Sequence, residues 1–399
     1  MATDATAGLT DLVEAVHERI ARLPGVSAPA DSGRTRGITG LIYKSIRGVT
    51  RLVGGSLDAL LQVLEPDLTP DLLDAAQPSA ERAAVLAALN GVLGDYLASS
   101  HNPLATPMTL RLAGLPLAQG RDSLRAQLDA NPTPGSGNKL LVLVHGLCMN
   151  DLQWLRQGHD HGAALAQALG YTPIYVRYNS GLHISLNGRE LGRQLALLLA
   201  DWPQPLERVV LIGHSMGGLV LRSALHQARV GGQPWPGRID DLVFLGSPHA
   251  GAPLERAGNW VDVILGETPY LSRYTAPFAR LGKLRSAGIT DLRFAALLDE
   301  DWVGRDRFAR GPARCQAVPL PTDLRSYAVA ASTGQRSGDL QDSLLGDGLV
   351  PLASALGKHR DPAHALVFSA DRQAIFWDTH HLDLLSSPEV CAQLRQWLA

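Results

Sequence analysis

From Lys139 onward the chain alternates short, wholly apolar runs with stretches of helical periodicity, a pattern that few architectures accept. The apolar runs are KLLVLVH, TPIYVRY, RVVLIGH, DLVFLGS (241–247), SYAVAAS (326–332) and ALVFSA (365–370). Between and after them come helical patterns near 160–169, in NGRELGRQLALLLADW, from Ser215 to about Val230, and in the terminal SPEVCAQLRQWLA. A strand that is apolar on both faces must be covered on both. Helices inserted between the strands supply that cover, so the pattern predicts an α/β fold, a mostly parallel sheet with helices on both faces. With 45% of its 399 residues hydrophobic, the chain can fill a core of that size and still carry an accessory segment.

The residues ahead of this pattern read differently. GLTDLVEAVHERIARL and SAERAAVLAALNGVLGDYL are helical by spacing, Ser79 being a candidate N-cap of the second, and MTLRLAGLPLA (108–118) is strand-like. The loop NPTPGSGN (131–138) marks a boundary, so residues 1–137 are expected to form a mostly helical N-terminal accessory segment and 138–399 the main domain. Within the main domain, about 254–320 interrupts the strand rhythm. Its WVDVILGETPYLSRYTAPFARLGKL is apolar at helical spacing, which suits a cap or lid, with a dimer contact as the alternative. At 36–64, Lys44, Arg47 and Arg51 alternate with Leu41, Ile42, Ile46 and Leu52. Packing on the main domain is the expectation for that helix, and peripheral contact with a membrane is the alternative.

A net charge of −2 argues against nucleic acid as a partner. Cys148, Cys315 and Cys391 form no C-x-x-C pair, so they are expected to be reduced thiols, with neither zinc nor redox chemistry indicated by spacing. The N-terminus shows no secretory pattern and no run reaches 18 apolar residues, so a cytoplasmic location is expected.

Chemistry enters at ERVVLIGHSMGGL (207–219). The pentapeptide Gly213-His214-Ser215-Met216-Gly217 is weak alone, but here it joins a buried strand to a helix, the order that a nucleophilic serine on a sharp turn requires. Such a serine needs a base, an acid to orient it, and donors for an oxyanion. His145-Gly146-Leu147 follows the first strong strand, so the backbone N–H groups of Leu147 and Met216 are the candidate oxyanion donors. Asp347, between two glycines in LLGDGLVPLASA, is the expected acid, because it lies after the serine and before the terminal histidines. Asp323, Asp342 and Asp361 are its rivals. For the base the sequence offers two neighbours, His380 and His381.

Taken in order, HGLCMND (145–151), RYNSGLHISLNGREL (177–191), GHSMGG (213–218), LGSPHAGAPLER (245–256), GDGLVP (346–351) and HLDLL (381–385) resemble an α/β hydrolase of the lipase and esterase branch. The likeness is to bacterial lipases similar to GPI inositol-deacylases and covers about 138–399. It implies Ser215, Asp347 and His381 as a catalytic triad. His381 is preferred to His380 because H-L-D-L-L-S-S-P-E-V resembles the lipase sequence around the catalytic histidine. The implied activity is hydrolysis of a small-molecule or lipid ester, with no cofactor and no metal. Acyl transfer, thioester cleavage and a catalytically silent binding module are the alternatives.

Overall fold

The computed structural model describes residues 80–132, 134, 137–252, 286–305, 315–335 and 346–399. Among them eight strands form one sheet, in the order β2-β1-β4-β3-β5-β6-β7-β8. The chain enters through helix α1 (Ala80–Ser99) and the hairpin β1 (Thr109–Leu112) and β2 (Leu115–Pro116), followed by helix α2 (Arg121–Ala130). Then come β3 (Lys139–Val144), α3 (His161–Leu169), β4 (Tyr171–Arg177), α4 (Ile184–Asp201), β5 (Arg208–His214), α5 (Met216–Val230) and β6 (Asp241–Leu245). After them lie α6 (Ala287–Phe294), β7 (Arg325–Ala331), the short α7 (Leu352–Ala355), β8 (Gln373–Phe376) and α8 (Pro388–Leu398).

From β4 to β8 every pairing is parallel. Leu140 to Val144, Val209 to Ile212 and Leu242 to Leu245 are all at most 1% exposed, which explains the continuous apolar runs: each strand is buried on both faces. The helices carry their own start and stop signals. Asp160 caps α3 through its carboxylate and Gly170 ends it in the left-handed region, while Ser387 and Pro388 open α8.

Two expectations about organisation need correcting. The sheet does not begin at residue 138, because β1 pairs antiparallel with β4 and β2 extends it to an edge. Helix α1 is not peripheral to that core either. Ala84, Val85, Ala88, Leu89 and Val92 belong to the same hydrophobic cluster as the central strands. The second correction concerns ALVFSA, which pairs with no strand. The position beside β7 is taken by Gln373–Phe376. Leu366 and Phe368 are buried while Val367 is 87% exposed, so the apolar signal at 365–370 reports burial of alternate residues and not strand pairing.

Of the region expected to form a cap, 253–285 and 306–314 lie outside the described residues, as do 1–79 with the segment 36–64 and the proposed cap residue Ser79. Of the described parts, 286–305 and 315–320, the first is bound into the body of the domain. Ser286 Oγ donates to Gly91 O at 2.7 Å, Ala287 N–H donates to Asp95 Oδ2 at 3.0 Å, and buried Asp291 accepts from Ile184 N–H at 2.9 Å. Among the described residues no helix is long and apolar enough to cross a membrane.

Candidate active site

Strands that run parallel send their following loops to one end of the sheet, and the sequence candidates lie on those loops. Strand β5 ends at His214 and α5 begins at Met216, so Ser215 makes the turn by itself. Its backbone, at φ 55° and ψ −123°, lies outside the regions an L-residue ordinarily occupies. Such strain persists only where the surroundings impose it. Here Ser215 N–H donates to Leu245 O at 2.8 Å and Gly218 N–H donates to Ser215 O at 3.1 Å. The flanking glycines are required by contact: a Cβ on Gly213 would stand 2.5 Å from Gly218 N, and one on Gly217 would stand 2.2 Å from Val144 O. Ser215 is 1% exposed, and its Oγ makes no hydrogen bond among the described residues.

Asp347 follows β7 in a turn that its own carboxylate organises. Oδ1 accepts the N–H groups of Leu349 at 3.0 Å and Val350 at 2.8 Å. Oδ2 is thereby aimed at His381 Nδ1, which donates to it across 2.7 Å, while His381 N–H donates to Asp347 O at 3.0 Å. The Nδ1–H tautomer turns Nε2 into the basic nitrogen. Both side chains are buried. The His381 ring stands 4.8 Å, centroid to centroid, from the ring of His214, the residue just before Ser215.

The competing candidates go elsewhere. His380 is exposed, and its N–H donates to Asp383 at 3.2 Å. Asp323 pairs with Arg229 at 2.8 Å, and Asp361 caps the turn at 362–364. Asp342 lies outside the described residues.

The loop after β3 is braced on both sides of Leu147. Tyr178 Oη donates to His145 O at 2.8 Å, and Ser180 Oγ accepts Cys148 N–H at 3.0 Å, with Cys148 at φ 57°. His145 lies stacked on Tyr178, its Nδ1–H donating to Gly146 O at 2.8 Å, and burial brings its pKa down to about 4. It therefore stays neutral and acts as packing. Neither Leu147 N–H nor Met216 N–H is used by the turns and loops of the described residues. Met216 is the first residue of α5, where a helix leaves N–H groups without internal acceptors and its dipole favours negative charge.

Sequence reasoning missed three supporting residues. Tyr178 and Ser180 stand in RYNSGLHISLNGREL, a segment that carried the resemblance without a role; they hold the loop bearing Leu147. The third is His214, whose Nε2 lies 3.3 Å from His381 O. Burial, followed by the neighbouring His381, holds the His214 pKa well below the usual range, so the neutral ring donates to that carbonyl. Their signal in sequence was adjacency to a motif, which carries no geometry.

Residues 140–310 match the family model described as a PGAP1-like alpha/beta domain. No curated protein matches the chain. Solved structures similar to it include the mature form of the Bacillus licheniformis lipase BlEst2, at 17% identity over 67% of this chain and 95% of that one, with a TM-score of 0.41. The Pyrococcus furiosus esterase PF2001 is 14% identical over 66% and 84%, with a TM-score of 0.37. The RedJ thioesterase of the Streptomyces coelicolor prodiginine pathway is 14% identical over 72% and 96%, with a TM-score of 0.36. The sheet order, the turn between β5 and α5 and the matched domain model give the core of this chain an α/β-hydrolase fold. The matched segment takes in the motifs from His145 to Arg256 and ends before GDGLVP (346–351) and HLDLL (381–385).

Proposed function

We propose that this chain is a serine carboxylester hydrolase in which Ser215 is the nucleophile, His381 the base and Asp347 the group that orients it. One observation carries the reading. A strained, buried serine at the start of a helix shares the same end of the sheet with a buried histidine hydrogen-bonded at 2.7 Å to a carboxylate whose other oxygen is held by two N–H groups. A silent binding module would gain nothing from strain at Ser215.

In the proposed reaction His381 Nε2 removes the proton from Ser215 Oγ as Oγ bonds to the ester carbonyl carbon, and Asp347 stabilises the imidazolium that results. The N–H groups of Leu147 and Met216 take the negative charge on the carbonyl oxygen. Each donor of this kind is worth about 3 kcal/mol. The C–O bond of the ester then breaks as His381 returns the proton to the departing alcohol. Water, deprotonated in turn by His381, attacks the acyl-Ser215 ester, and His381 gives that proton to Ser215 Oγ as the C–Oγ bond breaks and the acid is released. Thioester cleavage and acyl transfer use the same residues with another leaving group or acceptor. Of the segment at 254–320, the part ahead of Ser286 is proposed as the cap that meets the acyl chain.

A fluorophosphonate probe tests the reading. It is expected to label Ser215 in the folded chain and to leave Ser215→Ala unlabelled. Folded protein that takes no label would favour the binding module. A series of p-nitrophenyl esters from short to long acyl chains then distinguishes esterase from lipase preference.

A further inference from the structure

Apart from Ser215, the turn leading into α3 and the face of α8 bring together His159, His161 and Cys391, whose ligand-capable atoms all lie within 4.8 Å of one another. We propose that these three side chains form a zinc site with three protein ligands. The inference is independent of the reaction proposed above.

Hydrogen bonding has already prepared the ligands. His161 is fully buried and its Nε2–H donates to Leu384 O at 2.8 Å, which leaves the Nδ1 lone pair directed at His159 Nε2, 2.9 Å away. Histidines that bind metals usually give their second N–H to a backbone carbonyl, which fixes tautomer and ring orientation. Cys391 is 6% exposed, so its thiol sits inside the fold beside the two imidazoles.

Size agrees as well. Zn–N bonds of about 2.0–2.1 Å and Zn–S bonds of about 2.3 Å in a tetrahedral site put N···N near 3.3 Å and N···S near 3.6 Å, against 2.9 Å between the two imidazole nitrogens and at most 4.8 Å to the thiol here. Two imidazoles and a thiolate are a donor set that zinc accepts. On binding, the His159 proton moves from Nε2 to Nδ1 and the Cys391 proton leaves to solvent. Two Zn–N bonds and one Zn–S bond form, no electrons are transferred, and one proton is released. His159 is only partly buried, so the fourth position opens toward water.

Such a site would join two segments that already touch. Ser386 Oγ donates to Gln157 Oε1 at 3.1 Å, and Arg156 approaches Asp383 at 3.9 Å. Together with the bond from His161 to Leu384, these contacts hold the turn that follows His381. Zinc would clamp α8 and that turn onto the start of α3.

The test uses the full chain stripped with a chelator, and Co²⁺ as the optical probe. One equivalent of Co²⁺ is expected to produce a thiolate-to-cobalt charge-transfer band that Zn²⁺ abolishes. Zn²⁺ should also raise the melting temperature. Cys391→Ser should give no band although Cys148 and Cys315 remain. His159→Gln, at a partly exposed position, should weaken Zn²⁺ by at least about 100-fold. A folded parent without the band, or a band that survives in Cys391→Ser, would overturn the proposal. Loss of ester hydrolysis with cobalt binding intact would bear only on the reaction proposed for Ser215.

Discussion

At the residue scale, His380 and His381 show how one position along the chain separates a surface side chain from a buried one. His381 is 2% exposed and tied to Asp347 by both ring and backbone, whereas His380 is exposed. His381→Ala is therefore expected to lower kcat by roughly 10³-fold or more on a short ester, the residue of activity coming from the oxyanion donors. His380→Ala should stay within a few-fold of the parent, and a larger loss there would reverse the assignment. Ser215→Ala should lower kcat by on the order of 10⁶. Its melting temperature should not fall, since the hydroxyl makes no hydrogen bond among the described residues. Retained turnover within tenfold of the parent would remove Ser215 from the mechanism.

At the element scale, the turn between β5 and α5 works because the helix starts against the end of β3. A methyl group on Gly217 would lie 2.2 Å from Val144 O, a backbone atom that the sheet holds in place. Gly217→Ala should consequently destabilise the fold by about 3 kcal/mol or more, seen as a lowered urea midpoint, before any catalytic effect is measured. Helix α6 makes the corresponding point for the interrupted region. The sequence grouped 286–305 with a cap, yet Asp291 and Ser286 anchor it to α4 and α1. The helical spacing read from the sequence lay at 260–284, ahead of α6, and the partners of α6 stand 107 and 195 residues away in the chain.

At the scale of the whole molecule, the sheet and α1 share one core, so a chain beginning at residue 138 should not fold. It would lose β1 from the edge of β4 and leave the apolar surface that α1 covers open to water. Soluble, cooperatively melting protein from that truncation would show that α1 and the hairpin are dispensable. Acid should also weaken the fold. Burial holds His145 and His161 near 4, against an ordinary value of 6.5 in an unfolded chain. Above about pH 6.5 neither state binds these protons and stability is unaffected. Between about 6.5 and 4 the unfolded chain takes them up while the native chain refuses them, costing on the order of 3 kcal/mol per histidine by pH 4. Chemical denaturation at pH 7 and at pH 4.5 checks the sign: a midpoint that does not fall on acidification would contradict the buried, neutral assignment.

The sequence by itself determined the α/β class, because strands apolar on both faces and separated by helices have few other ways to hide their surface. It also determined the serine turn, because Gly213 and Gly217 mark where backbone must pass backbone. It placed Asp347 after the serine in chain order and, through the motif HLDLL, favoured His381. Only the tertiary structure decided which strand pairs with β7, since burial at Leu366 and Phe368 and ladder pairing at Gln373–Phe376 give similar apolar patterns. It also decided that α1 belongs to the core, and that His159 and His161 meet Cys391. Local periodicity records how each residue is solvated. Contacts between residues distant in sequence depend on how the elements pack, and no single segment encodes that.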